Sequence, residues 1–228
     1  MVKTMRKTMR KIKFVYLVLF LSFFIFSCQE DDDEPNDNNV DLEIIIADTN
    51  SYFPMSEGSW WEYRSVLRGI EESYTTEYKG LVEIEGREYN ELITKGLILS
   101  AFYRKEGSKL YRLLTKNELG SDEYLEMLYF DENAKLGDLW YSEEFSYQYS
   151  PARIKREVTE KLDSTSFGGK IYTDILHISQ VFQYKPNPSG SWFDLTYTEE
   201  YYAKGIGYLG MKGDTGNEGI SLLDYQIK

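Results

Sequence analysis

Apolar and polar residues alternate with a period of two along much of the chain. From Phe193 the odd positions read Phe193, Leu195, Tyr197, Glu199 and Tyr201, with Asp194, Thr196, Thr198 and Glu200 between them. Period two is the mark of a half-buried strand. A largely β-branched run, Ile171, Ile175 and Ile178 with Leu176, follows Gly168-Gly169. Turn-forming clusters recur between such runs: Glu85-Gly86, Glu106-Gly107, Asp131-Glu132-Asn133, Gly168-Gly169 and Asn187-Pro188-Ser189-Gly190. Strands punctuated this way connect as consecutive hairpins, which gives a mostly antiparallel sheet. Tyr, Phe and Trp on both sides of the strands favour a sheet that curls into a strongly curved or barrel form, open or closed. Leu119 to Phe130 is the window that best fits a helix, although Tyr124 to Tyr129 fits a strand equally well. The expected fold is therefore mainly β, one antiparallel sheet or barrel with few helices.

The N-terminus follows a different pattern. Six basic residues, Lys3, Arg6, Lys7, Arg10, Lys11 and Lys13, precede an uncharged run from Phe14 to Ser27. That run has 14 residues, short of the about 20 needed to span a bilayer as a helix. A basic start and a short apolar core form the pattern of a secretory signal peptide. The single cysteine, Cys28, follows the small residue Ser27, with Ile25 three residues ahead. The arrangement resembles the lipobox of bacterial lipoproteins, and Phe26 departs from its favoured small residue. The resemblance implies that Cys28 receives a diacylglycerol and becomes the first mature residue. Two acyl chains suffice for stable anchoring. A lipidated Cys28 leaves no thiol for a disulfide, a metal site or catalysis.

This division makes residues 1–27 a signal peptide, 28–41 the lipidated cysteine with an acidic tether, and 42–228 a β-rich domain. The domain is long enough for one sizeable core, without an internal linker or exact repeat. The 20 tyrosines of the whole chain reinforce the strand reading. The tether, Glu30-Asp31-Asp32-Asp33-Glu34 and onward through Asn39, has nothing apolar to bury and is expected to be extended. Its 13 residues from Gln29 to Asp41 could reach roughly 40 Å. Acid directly after a lipidated cysteine also resembles a surface-export tract, and position 29 is Gln rather than the Asp associated with inner-membrane retention. An outer-membrane location, facing periplasm or cell surface, is expected. The whole chain carries a net charge of −12, and without the six N-terminal bases 20 basic residues face 38 acidic ones, or −18. Such a surface repels nucleic acid, whose recognition depends on Lys and Arg against phosphate.

Four separated stretches carry a further resemblance. Tyr52-Phe53-Pro54-Met55 with Gly58, Trp60 or Trp61, and Tyr63 is similar to a "YFPL…G…W…Y" opening. Leu128 to Asp131 followed by Lys135-Leu136-Gly137-Asp138-Leu139-Trp140 is similar to a "GD-x-W" middle motif. Tyr202-Ala203-Lys204-Gly205-Ile206-Gly207 is similar to an "AKGVG" segment, with Leu223-Asp224-Tyr225 as closing strand. Together they resemble a family of uncharacterised bacterial outer-membrane-type lipoproteins, which implies an envelope location and no particular activity. Met55 in place of Leu and the doubled Trp60-Trp61 depart from the pattern.

The chemistry-bearing motifs are sparse. Gly205, Gly207 and Gly210 spell GxGxxG, yet the following Met211 to Gly216 would make a poor helix, and the phosphate cradle needs a helix N-terminus. A bend or bulge between strands accounts for these glycines better. His177 is the sole histidine; it cannot build a multi-histidine zinc site, and a sheet-face or solvent-side position is expected. Asp214, Asn217 and Glu218 could offer oxygens to calcium, but their spacing departs from the EF-hand loop and suits an exposed turn. Neither a metal nor a cofactor is expected. Trp60, Trp61, Trp140 and Trp192 are expected in the core, with an aromatic ligand platform as the alternative. The leading expectation is a non-enzymatic binding or scaffolding lipoprotein. Its partners are the membrane through Cys28 and a small ligand, glycan or envelope protein. The alternative is a hydrolase with a carboxylate pair on the concave sheet face.

Overall fold

The computed structural model describes residues 44–45, 50–95, 99–115, 124–212 and 219–228. Cys28, the signal segment, the acidic tract and the Asp214–Glu218 oxygens lie outside the described residues, as does the first part of the Leu119–Phe130 window. Leu42–Lys228 forms one compact unit.

Its strands are β1 Ile44–Ile45, β2 Trp60–Leu67, β3 Ile70–Ile84, β4 Arg87–Lys95, β5 Leu99–Glu106, β6 Lys109–Leu114 and β7 Leu125–Asp131. They continue with β8 Leu139–Tyr141, β9 Phe145–Tyr147, β10 Ser150–Phe167, β11 Lys170–Tyr184, β12 Phe193–Ala203, β13 Gly207–Lys212 and β14 Gly219–Gln226. The order across the sheet is β7-β6-β5-β4-β3-β2-β14-β13-β12-β11-β10-β8. Every neighbour along that path is antiparallel. β9 pairs with β10, and β1 lies parallel to β11 beside Ile171 and Tyr172. The result is the expected mainly β fold, a curved antiparallel sheet that almost closes into a barrel. β2–β3, β3–β4, β5–β6 and β10–β11 pair through two-residue turns, and β14 returns to β2, which joins the two halves of the meander. Each of the five turn clusters read from the sequence falls at the end of a strand. The window that also fitted a helix contains β7 from Leu125 onward.

Alternation along β10 buries Ala152, Ile154, Arg156 and Val158 on one side. Of these, Val158 packs with Leu176 and Ile178 of β11, Leu222 of β14, Phe130 and Leu110 in the main interior cluster. The two free edges, β7 and β8, meet through side chains rather than a ladder. Trp140 donates its indole N–H to the Leu128 carbonyl at 2.9 Å. Leu114, Leu125 and Met127 pack on Ile154 across the same seam.

β12 turns its less apolar side inward. Its period is two as predicted, but Phe193, Leu195 and Tyr197 are 53%, 44% and 46% exposed, while Glu200 and Tyr202 on the even side are buried. The even side of β12 faces an interior that is itself polar, around Arg156, and this decides the orientation. Toward the C-terminal end both sides become buried, because the outer face there is covered by Phe167 and His177 stacked on Tyr201.

The glycines of Gly205–Gly210 serve the sheet. Gly205 lies in the β12–β13 turn. The register shifts between Tyr201↔Gly210 and Tyr202↔Tyr208, so Leu209 is the extra residue of a bulge. At Gly210, φ is +139°, and a Cβ would stand 2.0 Å from the Ile220 carbonyl oxygen of β14. Close backbone approach, not phosphate, requires that glycine.

Candidate functional site

The interior of the barrel is incompletely filled. A cavity of about 240 Å³ opens among β2–β7, β12, β13 and the segment preceding β2. That segment is tied down at Ser51. Its carbonyl accepts from the Gly205 N–H at 2.6 Å, and its hydroxyl donates to Glu132 at 2.6 Å. Glu132 also pairs with Lys105 at 2.9 Å. Phe53 is thereby laid against Tyr103, centroids 4.6 Å apart, and Pro54 against the position of Gly207. Trp61 is the buried member of its pair and donates to the Ile206 carbonyl at 2.7 Å. Trp60 is half-buried and donates to Gln226 at 3.0 Å. Residues of the first and third resembling motifs thus meet at one wall of the cavity.

An unbroken arc of rings lines the rest. Tyr74 contacts Tyr63 (5.5 Å), Tyr63 contacts Tyr208 (5.7 Å), and Tyr208 contacts Tyr202 (5.4 Å). Tyr202 contacts Tyr129 (6.2 Å), Tyr129 contacts Tyr103 (5.5 Å), and Tyr103 reaches Phe53. Each pair adds about 0.5–1.5 kcal/mol beyond its buried area. Period two explains the assembly, because each tyrosine occupies an inward slot of its own strand. Burial pushes the Tyr63, Tyr202 and Tyr208 hydroxyls well above their ordinary pKa and Tyr74 up to about 12, so all four stay protonated at neutral pH.

At the floor of the arc sits a buried ion pair. Arg156 Nη2 donates to Glu200 Oε2 at 2.7 Å, and Nη1 donates to Gln180. The guanidinium carbon lies 4.0 Å from the Tyr129 ring centroid. Tyr202 donates to the same Oε2 at 2.6 Å, and the Tyr129 hydroxyl stands 3.2 Å from it and 2.9 Å from Tyr202. Burial pushes the Glu200 carboxyl up, but the Arg156 charge, the Tyr202 hydroxyl and the charge of Arg112 outweigh it and hold the group below the usual carboxylate range. Arg112 and Glu200 both line the cavity. Three donors converge on Oε2, whereas Oε1 receives none among the described residues.

Neither member of this pair was singled out from the sequence. Arg156 occupies an inward slot in the alternation Ala152-Ile154-Arg156-Val158, and a charge at an apolar-phase position was the available signal. Glu200 lies on the less apolar side of β12, so the alternation carries no signal for its burial.

The other predicted residues are spread over the molecule. His177 is on the outer sheet face yet 7% exposed, stacked on Tyr201 at 4.2 Å with 9° between planes. Its Nδ1 stands 3.1 Å from Glu160, and Nε2 touches Glu199. A sheet-face position is what the sequence suggested, and burial replaces the solvent-side variant. Burial raises the Glu199 carboxyl, opposed by His177. Trp140 is half-buried against the core. Trp192 does not join the core: Arg153 and Lys185 lie over its ring at 4.2 and 4.3 Å. Among the described residues no group of three His, Cys, Asp or Glu side chains could hold a metal ion. The cavity wall carries one carboxylate, Glu200, among the described residues.

No protein-family model matches the chain, and no curated protein matches it in sequence. Two solved structures are similar in fold. One, described as a "putative lipoprotein" of Parabacteroides distasonis ATCC 8503, is 11% identical with a TM-score of 0.47, covering 78% of this chain and 100% of its own. The other, a "putative exported protein" with a YmcC-like fold from Bacteroides fragilis NCTC 9343, is 10% identical with a TM-score of 0.45, covering 78% and 99%.

Proposed function

We propose that this chain is a lipid-anchored binding protein of the bacterial cell envelope. Cys28 carries the acyl chains, residues 29–41 act as an acidic tether, and the β-domain holds a small ligand inside its barrel. An outer-membrane site, facing periplasm or cell surface, accords with the acid after Gln29. One observation carries the binding reading: the tyrosine-lined cavity, concave and mostly aromatic with a few convergent polar groups, which is how small-molecule sites are built. The hydrolase alternative asks for two carboxyl groups facing one cleft, and Glu200 has no second carboxylate beside it in the cavity wall among the described residues.

Two measurements test the proposal. A polarity-sensitive apolar dye should bind the purified protein and shift Trp61 emission, because Trp61 lines the wall. Failure of every small probe to enter would overturn the binding role. Cys28→Ala should remain unprocessed, take up no labelled fatty acid and leave the membrane fraction after a carbonate wash. Labelling and membrane retention equal to wild type would overturn the anchor.

A further inference from the structure

We infer that the cavity takes a neutral sugar unit, with Glu200 Oε1 accepting from a sugar hydroxyl and the tyrosine arc stacking on the C–H face of the ring. This rests on the cavity being a ligand site.

Glu200 is 7% exposed and held ionised, and its oxygens differ sharply in surroundings. Oε2 takes Arg156, Tyr202 and Tyr129, while Oε1 has no donor among the described residues. Glu200 lines the cavity, so an occupant that displaces water from Oε1 loses that hydrogen bond unless it brings a donor of its own. A ligand that fits must therefore bring an N–H or O–H to Oε1. A cationic amine would meet the charges of Arg156 and Arg112, both of which already act on Glu200. A carboxylate or phosphate group placed there would meet the ionised Glu200 itself. A neutral hydroxyl avoids both conflicts.

Two more polar groups point to the same chemistry. Tyr74 and Tyr208 line the cavity, and neither hydroxyl has a hydrogen-bond partner among the described residues. Both stay protonated at neutral pH, because burial raises them. Each can donate to or accept from a ligand hydroxyl. One ionised acceptor and two amphoteric hydroxyls, set among aromatic rings, match a pyranose, whose edge is polar and whose faces are C–H. The volume of about 240 Å³ falls below the roughly 300–1,000 Å³ of drug-sized sites. That suits one sugar unit, either free or at the end of a glycan.

The test uses the full-length protein in lipid nanodiscs and saturation-transfer NMR. The panel contains glucose, galactose, mannose and N-acetylglucosamine, their methyl glycosides, matching oligosaccharides, and choline and benzoate as charged controls. At least one neutral sugar should bind and the charged controls should not. Preference for free sugar or for glycoside and oligosaccharide identifies the source. Tyr74→Phe with Tyr208→Phe should weaken binding by about tenfold while leaving the unfolding midpoint in place, since those hydroxyls hold no protein group. Binding of choline or benzoate in place of sugars would overturn the inference, and so would undiminished sugar binding by the double variant. If the apolar dye enters and no sugar does, this inference fails while the binding reading stands; if neither enters, both fail.

Discussion

Glu200 and Arg156 show what a buried charge requires. Each loses hydration inside the barrel, and each recovers it through the partner and through hydroxyls of Tyr129 and Tyr202. Removing one partner leaves the other uncompensated, so Glu200→Ala should cost about 3–5 kcal/mol in urea unfolding. A pH series gives a second check. The folded carboxyl titrates below its ordinary value, so the stabilisation is complete above about pH 4.3, the unfolded value, and is lost as pH falls through the lower folded value. The stability gap between wild type and Glu200→Gln should therefore be constant near neutrality and narrow on acidification. A gap that widened toward low pH would contradict the assignment of Glu200 as an ionised group.

At the scale of elements, the bulge and the seam make the sharper predictions. Gly210→Ala would drive a methyl into the Ile220 carbonyl, which should cost roughly 3 kcal/mol. Gly86→Ala in the β3–β4 turn has open space around it and should cost about 1 kcal/mol, from its left-handed backbone alone. Equal losses at the two sites would remove the steric argument. At the seam, Trp140→Phe keeps a ring but loses the donor to Leu128. A loss of about 1 kcal/mol should accompany faster amide exchange in β7, whose outer edge has no strand partner among the described residues. β12 teaches a different lesson about elements. Its periodicity was legible because a strand must place alternate residues on opposite faces. Which face turned inward was not, because that depends on what the neighbouring strands bring to the interior.

For the whole molecule, the meander explains how a chain with one cysteine can stabilise a barrel without disulfides. The strands are long, from Ile70–Ile84 to the 18 residues of Ser150–Phe167, and pair mostly with sequence neighbours. The sheet bends around a shared interior in which tyrosine supplies both ring packing and hydroxyl partners. The same choice of residue leaves a cavity instead of a filled core, since seven linked rings surround space rather than interdigitate. Tether and barrel then divide the work of the proposed function. The acidic tract has no apolar residue to fold with, and the barrel has a pocket to offer.

The sequence by itself determined the strand period, the turn positions and the antiparallel meander. These are local properties: side-chain alternation, and glycine and asparagine at tight turns. Tertiary structure alone decided which tryptophan of Trp60-Trp61 is buried, which face of β12 points inward, and that Arg156 and Glu200, 44 positions apart, meet at one oxygen. The reason is physical. A pleat assigns residues to two sides, but only the curvature of the closed sheet says which side is the interior, and only there do distant strands bring their charges together.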